Sequence, residues 1–162
     1  MKYIFSLLFL SLMTNIFSQD YNIVKPDSWN FISEEITSGF DKSAFIIGIS
    51  NSPYVTSPVL TVNRINENPI RIYLTYFPAG ICGDNTIIVK FNNEKTKYQI
   101  SANYYMKQRC YLLRFNNILT VSSFINKLES SEYVYIRLNN ECSDIVVEFS
   151  SVGAIEALKK LN

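Results

Sequence analysis

Three cysteines, Cys82, Cys110 and Cys142, carry the most reactive chemistry in this chain of 162 residues, which contains no histidine. Without imidazole there is no Ser-His-Asp or Cys-His nucleophile and no zinc site built on histidine. A nucleophilic thiolate would instead need a neighbouring cation or a helix N-terminus, and Arg109 beside Cys110 is the only adjacent cation in the sequence. The cysteines therefore read as structural. Cys82 and Cys142 both fall in expected loops that follow strands, where a bridge can meet the Cα separation a disulfide needs. The expected pairing is Cys82–Cys142, with Cys82–Cys110 as the alternative and one thiol left over.

Carboxylates are the other source of chemistry. Asp84, Glu141 and Asp144 lie near the same expected loops, and three converging carboxylates would hold a hard cation such as calcium. Their spacing matches no EF-hand loop, and Asp is an ordinary turn residue, so no metal site is assigned. Glu34-Glu35 offers two carboxylates, but adjacent side chains diverge in a strand or a helix, which removes the acid–base pair of a glycosidase. Gly80 and Gly83 bracket Ile81-Cys82 with no helix pattern after them, so no phosphate cradle is expected. No cofactor is expected either.

Outward strand positions offer contact chemistry instead. Arg71, Tyr73 and Thr75 share one strand, Ile88 and Lys90 a second, and Tyr133, Tyr135 and Arg137 a third. Tyr and Arg are enriched at binding hot spots, because a rigid amphipathic ring and a planar cation gain much on partial burial. They also make ordinary cross-strand pairs on a solvated sheet. Were the three strands neighbours, Arg71, Tyr73, Lys90, Tyr133, Tyr135 and Arg137 would form one face for a protein or glycan partner. Nucleic acid is excluded as a partner, since 15 Lys plus Arg against 14 Asp plus Glu leave a net charge of +1, no footprint for phosphate neutralisation.

The elements that position these residues begin after an address. In MKYIFSLLFLSLMTNIFSQD, Lys2 forms a short positive region, an apolar stretch follows, and Ser18 is the small residue at the cleavage point. Ser6, Ser11, Thr14 and Asn15 interrupt the stretch, leaving it too short and too polar to span a bilayer. The expected division is a signal peptide over 1–18 and a single β-rich domain over 19–162, with an uncleaved anchor as the alternative. Cleavage removes one lysine and no acid, so the mature chain is formally neutral. It would be periplasmic or secreted, with no stable membrane anchor.

Beyond the address, period-two alternation predicts strands over 44–50, 60–65, 70–77, 86–91, 97–104, 110–115, 133–138 and 145–149. Asn66-Glu67-Asn68-Pro69, residues 92–96 and residues 139–144 supply the turns. Two segments change period. Val121, Phe124, Ile125 and Leu128 make one helical stripe with Thr120 as N-cap; Ala154, Ile155, Leu158 and Leu161 make another, with Ser150 or Ser151 as cap. Trp29 is expected to anchor the core. The fold class predicted is mainly β (α+β): an antiparallel β-sandwich or half-open barrel with two amphipathic helices, the second C-terminal.

Taken in order, these landmarks resemble small exported bacterial proteins related to invasion-associated locus B and to the VasI-like accessory proteins of type VI secretion. The shared layout is the signal peptide, the early Trp29, the hairpins VLTVNRINENPIRIYLTYF and TIIVKFNNEKTKYQIS, the run YLLRFNNILTVSSFINKLESSEYVYIRL, and the close IVVEFSSVGAIEALKKL with its Gly153. Such proteins often carry a cysteine after the last helix, whereas here Leu161-Asn162 follow. The resemblance implies a β-sandwich in the envelope and carries no catalytic residue. The expected function is a non-enzymatic exported domain, a protein-binding or structural accessory of the cell envelope. The alternatives are a carboxylate- or metal-dependent hydrolase and a carrier of a small apolar ligand.

Overall fold

The computed structural model describes residues 27–36, 39–53, 55–75, 86–105, 110–140 and 143–162. Its elements are β1 (Asn30–Ile36), β2 (Gly39–Ile47), β3 (Ile49–Ser50), β4 (Val59–Ile65), β5 (Arg71–Thr75), β6 (Thr86–Phe91), β7 (Tyr98–Tyr105), β8 (Cys110–Arg114), α1 (Val121–Ser130), β9 (Tyr133–Asn140), β10 (Ser143–Ser150) and α2 (Ala154–Lys159). All ten strands join one antiparallel sheet in the order β1-β2-β4-β5-β8-β7-β6-β9-β10-β3. The class predicted from alternation is the class found, and the second helix is C-terminal.

Gly48 explains the shape of this sheet. It is the one residue between β2, which pairs with β1 and β4, and β3, which pairs with β10 at the opposite end. A single chain segment therefore belongs to both ends of the sheet, which must curl to meet itself. This is the strand-switching bend seen at the corners of β structures. The chain passes close to β10 there: a Cβ on Gly48 would lie 2.5 Å from Val147 Cγ1 and 2.6 Å from Phe149 Cε1. Both of those side chains are fully buried, so neither has room to move. Of the two architectures expected, the single curled sheet is the one found.

Alternation fills the concave side. Leu60 and Val62, Ile72 and Leu74, Ile87, Val89 and Phe91, and Val134, Ile136 and Leu138 are all buried, each two residues from the next along its strand. The helices cover this core. Phe124 of α1 is buried edge-on against Phe91, with ring centroids 5.6 Å apart, and against Phe115 at 5.3 Å. Thr120 caps α1 as expected, its hydroxyl accepting from the Ser123 amide at 3.1 Å. The Glu94 carboxylate, in the β6–β7 turn, pairs with Lys127 of α1 and accepts from the Tyr98 hydroxyl at 2.7 Å. That ties the helix to the hairpin.

Trp29 is a core anchor, as expected. Its indole NH donates to the Ser150 carbonyl at 2.9 Å and its backbone NH to the Val152 carbonyl at 2.9 Å, so the start of β1 is fastened to the end of β10. Four details differ from expectation. The strands β1 and the first half of β2 replace a segment with no predicted element. The last two strands extend to Asn140 and from Ser143, so Asp144 is paired with Asn139 instead of lying in a turn. The cap of α2 is Gly153 at φ +79°, not Ser150 or Ser151: the Ser150 hydroxyl accepts from the Val152 amide at 3.2 Å, one residue short of the cap. Ile70 precedes β5 instead of opening it, and residues 76 and 77 lie outside the described set.

Candidate functional site

Pairing of β6 with β9 and of β9 with β10 sets the outward side chains in rows. Ile88 lies opposite Arg137 and Arg137 opposite Val146; one row along, Lys90 lies opposite Tyr135 and Tyr135 opposite Glu148. Every one of these residues is partly exposed, while the intervening Ile87, Val89, Ile136 and Val147 are buried on the other face. Period two does this: alternate residues of each strand point to opposite faces, one packed on the core and the other toward solvent. The result is an open groove of about 410 Å³ lined by Ile88, Lys90, Asn92, Lys97, Tyr135, Arg137 and Val146.

The charges of this face are unevenly committed. Arg137 binds both oxygens of Asp144, Nε to Oδ1 and Nη2 to Oδ2 at 2.6 Å each, a bidentate pair that holds the Asp144 carboxyl below the usual carboxylate range. The Tyr135 hydroxyl donates to Glu148, and that hydrogen bond, with burial, pushes the phenol up. Lys90 and Lys97 have no ion pair among the described residues. They flank the last registered pair of β6 and β7, Val89 opposite Tyr98, and both line the groove.

The face expected from the sequence is thus divided. Lys90, Tyr135 and Arg137 come together, and Tyr133, 38% exposed, continues the β9 row at one end. Arg71 and Tyr73 do not join them, because β8 and β7 separate β5 from β6. Tyr73 instead lies opposite Leu112, which lies opposite Asn103. Strand neighbourhood is a property of topology, and periodicity along each strand carries no trace of it. Val146, Asn92 and Lys97 were not assigned to the surface from the sequence. The outward register of β10 is the signal that would have placed Val146.

Cys110 is a free cysteine, buried at the start of β8, and burial pushes its thiol up; Cys82 and Cys142 lie outside the described residues, as do Asp84 and Glu141. Asp144 is occupied by Arg137. Among the described residues no group of three or more Cys, Asp or Glu side chains is placed to hold a metal, and no helix is long and apolar enough to cross a membrane. Glu34 and Glu35 are exposed on the edge strand β1. A second cleft of about 190 Å³ lies between α1 and α2, lined by Ile70, Ile125, Leu158 and Leu161 among others. It is smaller than the roughly 300–1,000 Å³ of small-molecule sites.

No protein-family model and no curated protein matches this chain. Among solved structures it is similar to invasion associated protein B from Bartonella henselae, with a TM-score of 0.59 and 10% sequence identity over 85% of this chain and 94% of that one. At that identity the likeness shows the fold alone. It accords with the resemblance to invasion-associated locus B drawn from the order of landmarks.

Proposed function

We propose that this protein is a non-enzymatic, exported accessory of the cell envelope that engages a protein partner through the outer groove of β6, β9 and β10. The observation that carries this reading is the meeting of Lys90, Tyr135 and Arg137 around an apolar floor of Ile88 and Val146 in one open groove. Aromatic and Arg side chains over a desolvatable apolar patch are the usual composition of binding hot spots. An alternative hydrolase would need carboxylates converging in a cleft, and the one described member of the expected trio, Asp144, is tied to Arg137. A carrier of apolar ligands would need a roomy apolar cavity, and the cleft between α1 and α2 is only about 190 Å³. The likeness to VasI-like accessory proteins, the signal peptide over 1–18 and the Cys82–Cys142 bridge belong to the same reading.

The test is a comparative capture from envelope extract of the native source. The wild-type chain and a Tyr73→Ala variant should retain the same partner, and a Lys90→Ala/Tyr135→Ala variant should lose it. Retention by the groove variant at the wild-type level refutes the assignment.

A further inference from the structure

Lys90 and Lys97 face the same solvent side from adjacent strands, immediately beyond the paired Val89 and Tyr98. Like charges set across a strand pair repel one another. Neither lysine forms an ion pair among the described residues, whereas Glu94 is paired with Lys127 and Asp144 with Arg137. Two ammonium groups thus stand on one wall of the groove outside any ion pair, next to the bidentate pair of Arg137 and Asp144. Ile88, next to Lys90 along β6, and Val146, on the far side of Arg137, supply the apolar part of the groove lining.

Resting on the reading of this groove as a contact surface, we propose that its occupant is an extended acidic peptide segment of a partner protein, with one carboxylate between Lys90 and Lys97 and an apolar side chain two residues away on Ile88 and Val146. The spacing suits a strand-like ligand. Ile88 and Lys90 are two residues apart on β6, so their side chains are separated by roughly 7 Å, the same repeat that brings alternate side chains of an extended peptide to one face. An aliphatic floor favours a peptide side chain over a sugar ring, and the Tyr135 hydroxyl is already committed to Glu148. Carboxylate contacts at the rim would supply selectivity and encounter rate more than raw affinity.

The experiment is an NMR titration of the full mature chain with the peptide Ac-Ser-Leu-Ser-Glu-Ser-amide and its Gln counterpart, followed at the Ile88 and Val146 methyl signals. The Glu peptide should shift both signals saturably and bind about fivefold more tightly than the Gln peptide at low salt, the scale set by two exposed ion pairs. Lys90→Ala/Lys97→Ala, two surface changes that leave the core intact, should abolish that difference. Equal binding of both peptides overturns the acidic preference while the contact surface stands. Failure of both peptides to move the groove signals overturns both. Tighter binding of an oligogalacturonate than of the Glu peptide overturns the peptide class in favour of an anionic glycan.

Discussion

Arg137 holds Asp144 by two parallel hydrogen bonds, both 2.6 Å, diagonally across the β9–β10 pair beside the groove. The side chains are 41% and 53% exposed, so water screens the pair and its effect on folding is small. Its effect on the groove is larger, because it withdraws one cation and one anion from the face together. Asp144→Asn should therefore leave the thermal midpoint nearly unchanged and tighten binding of the Glu peptide, since Arg137 becomes free for a ligand carboxylate. Weaker binding by Asp144→Asn would show that the pair positions the groove instead of neutralising it.

Gly48 is the point where one segment serves both ends of the sheet. Because a Cβ would meet Val147 and Phe149 at 2.5 and 2.6 Å, Gly48→Ala should cost about 1–3 kcal/mol as overpacking against a filled core. Gly39→Ala adds backbone strain, at a φ of +135°, to a Cβ clash with the Asn66 side chain. Urea unfolding of each variant gives the measurement, and a wild-type midpoint for Gly48→Ala would mean that the strand crossing is looser than described.

Loss of the Trp29 indole NH should carry a penalty of the same order. Trp29→Phe keeps an aromatic body and loses the hydrogen bond to the Ser150 carbonyl, leaving that acceptor unsatisfied at about 1–3 kcal/mol. Since this bond joins the start of β1 to the end of β10, amide exchange should accelerate at Asn30 and Phe31 more than in β5.

Acid should weaken the fold in a predictable direction. The Lys127 ammonium, joined by the Tyr98 hydroxyl and opposed by burial, holds the Glu94 carboxyl below its ordinary value, and Arg137 does the same for Asp144. In the unfolded chain both groups take up protons at about pH 4, before the folded chain does. Their contribution is therefore complete above that range and is lost as pH falls through it toward the folded values. Urea midpoints should fall on acidification, and Glu94→Gln should flatten that fall. An unchanged slope in the variant would remove the Glu94–Lys127 pair from the account.

Cys110 is 6% exposed and its thiol is pushed up by burial, so both access and thiolate fraction are low. Alkylation of the native protein followed by peptide mass mapping should leave Cys110 unmodified until denaturant is added. The proposed bridge predicts a disulfide-linked peptide pair containing Cys82 and Cys142 in the same map. Rapid modification of native Cys110 would contradict its placement in the core.

Strands β4 to β10 were legible because one face of each packs on a core and the other meets water, which imposes alternation. Strand β1 was not: it lies at the sheet edge with Ile32, Ser33, Glu34 and Glu35 all exposed, so burial imprints no period on it. Charges on an edge strand guard against pairing with another chain, and they erase the apolar signal as well. Gly48, set between Ile47 and Ile49, reads as part of one continuous strand until its partners are known. Arg71 and Tyr73 were grouped with Tyr135 because residue type and outward phase are local, whereas the order β5-β8-β7-β6 is fixed by long-range pairing.

Contact between a partner and the groove of β6, β9 and β10 can be read by site-specific photo-crosslinking in the native cell. With a benzoylphenylalanine in place of Ile88, irradiation should give a discrete adduct with a partner protein; in place of Arg71, on the separate β5 face, it should give none. An adduct from position 71 with none from position 88 would move the contact off the groove.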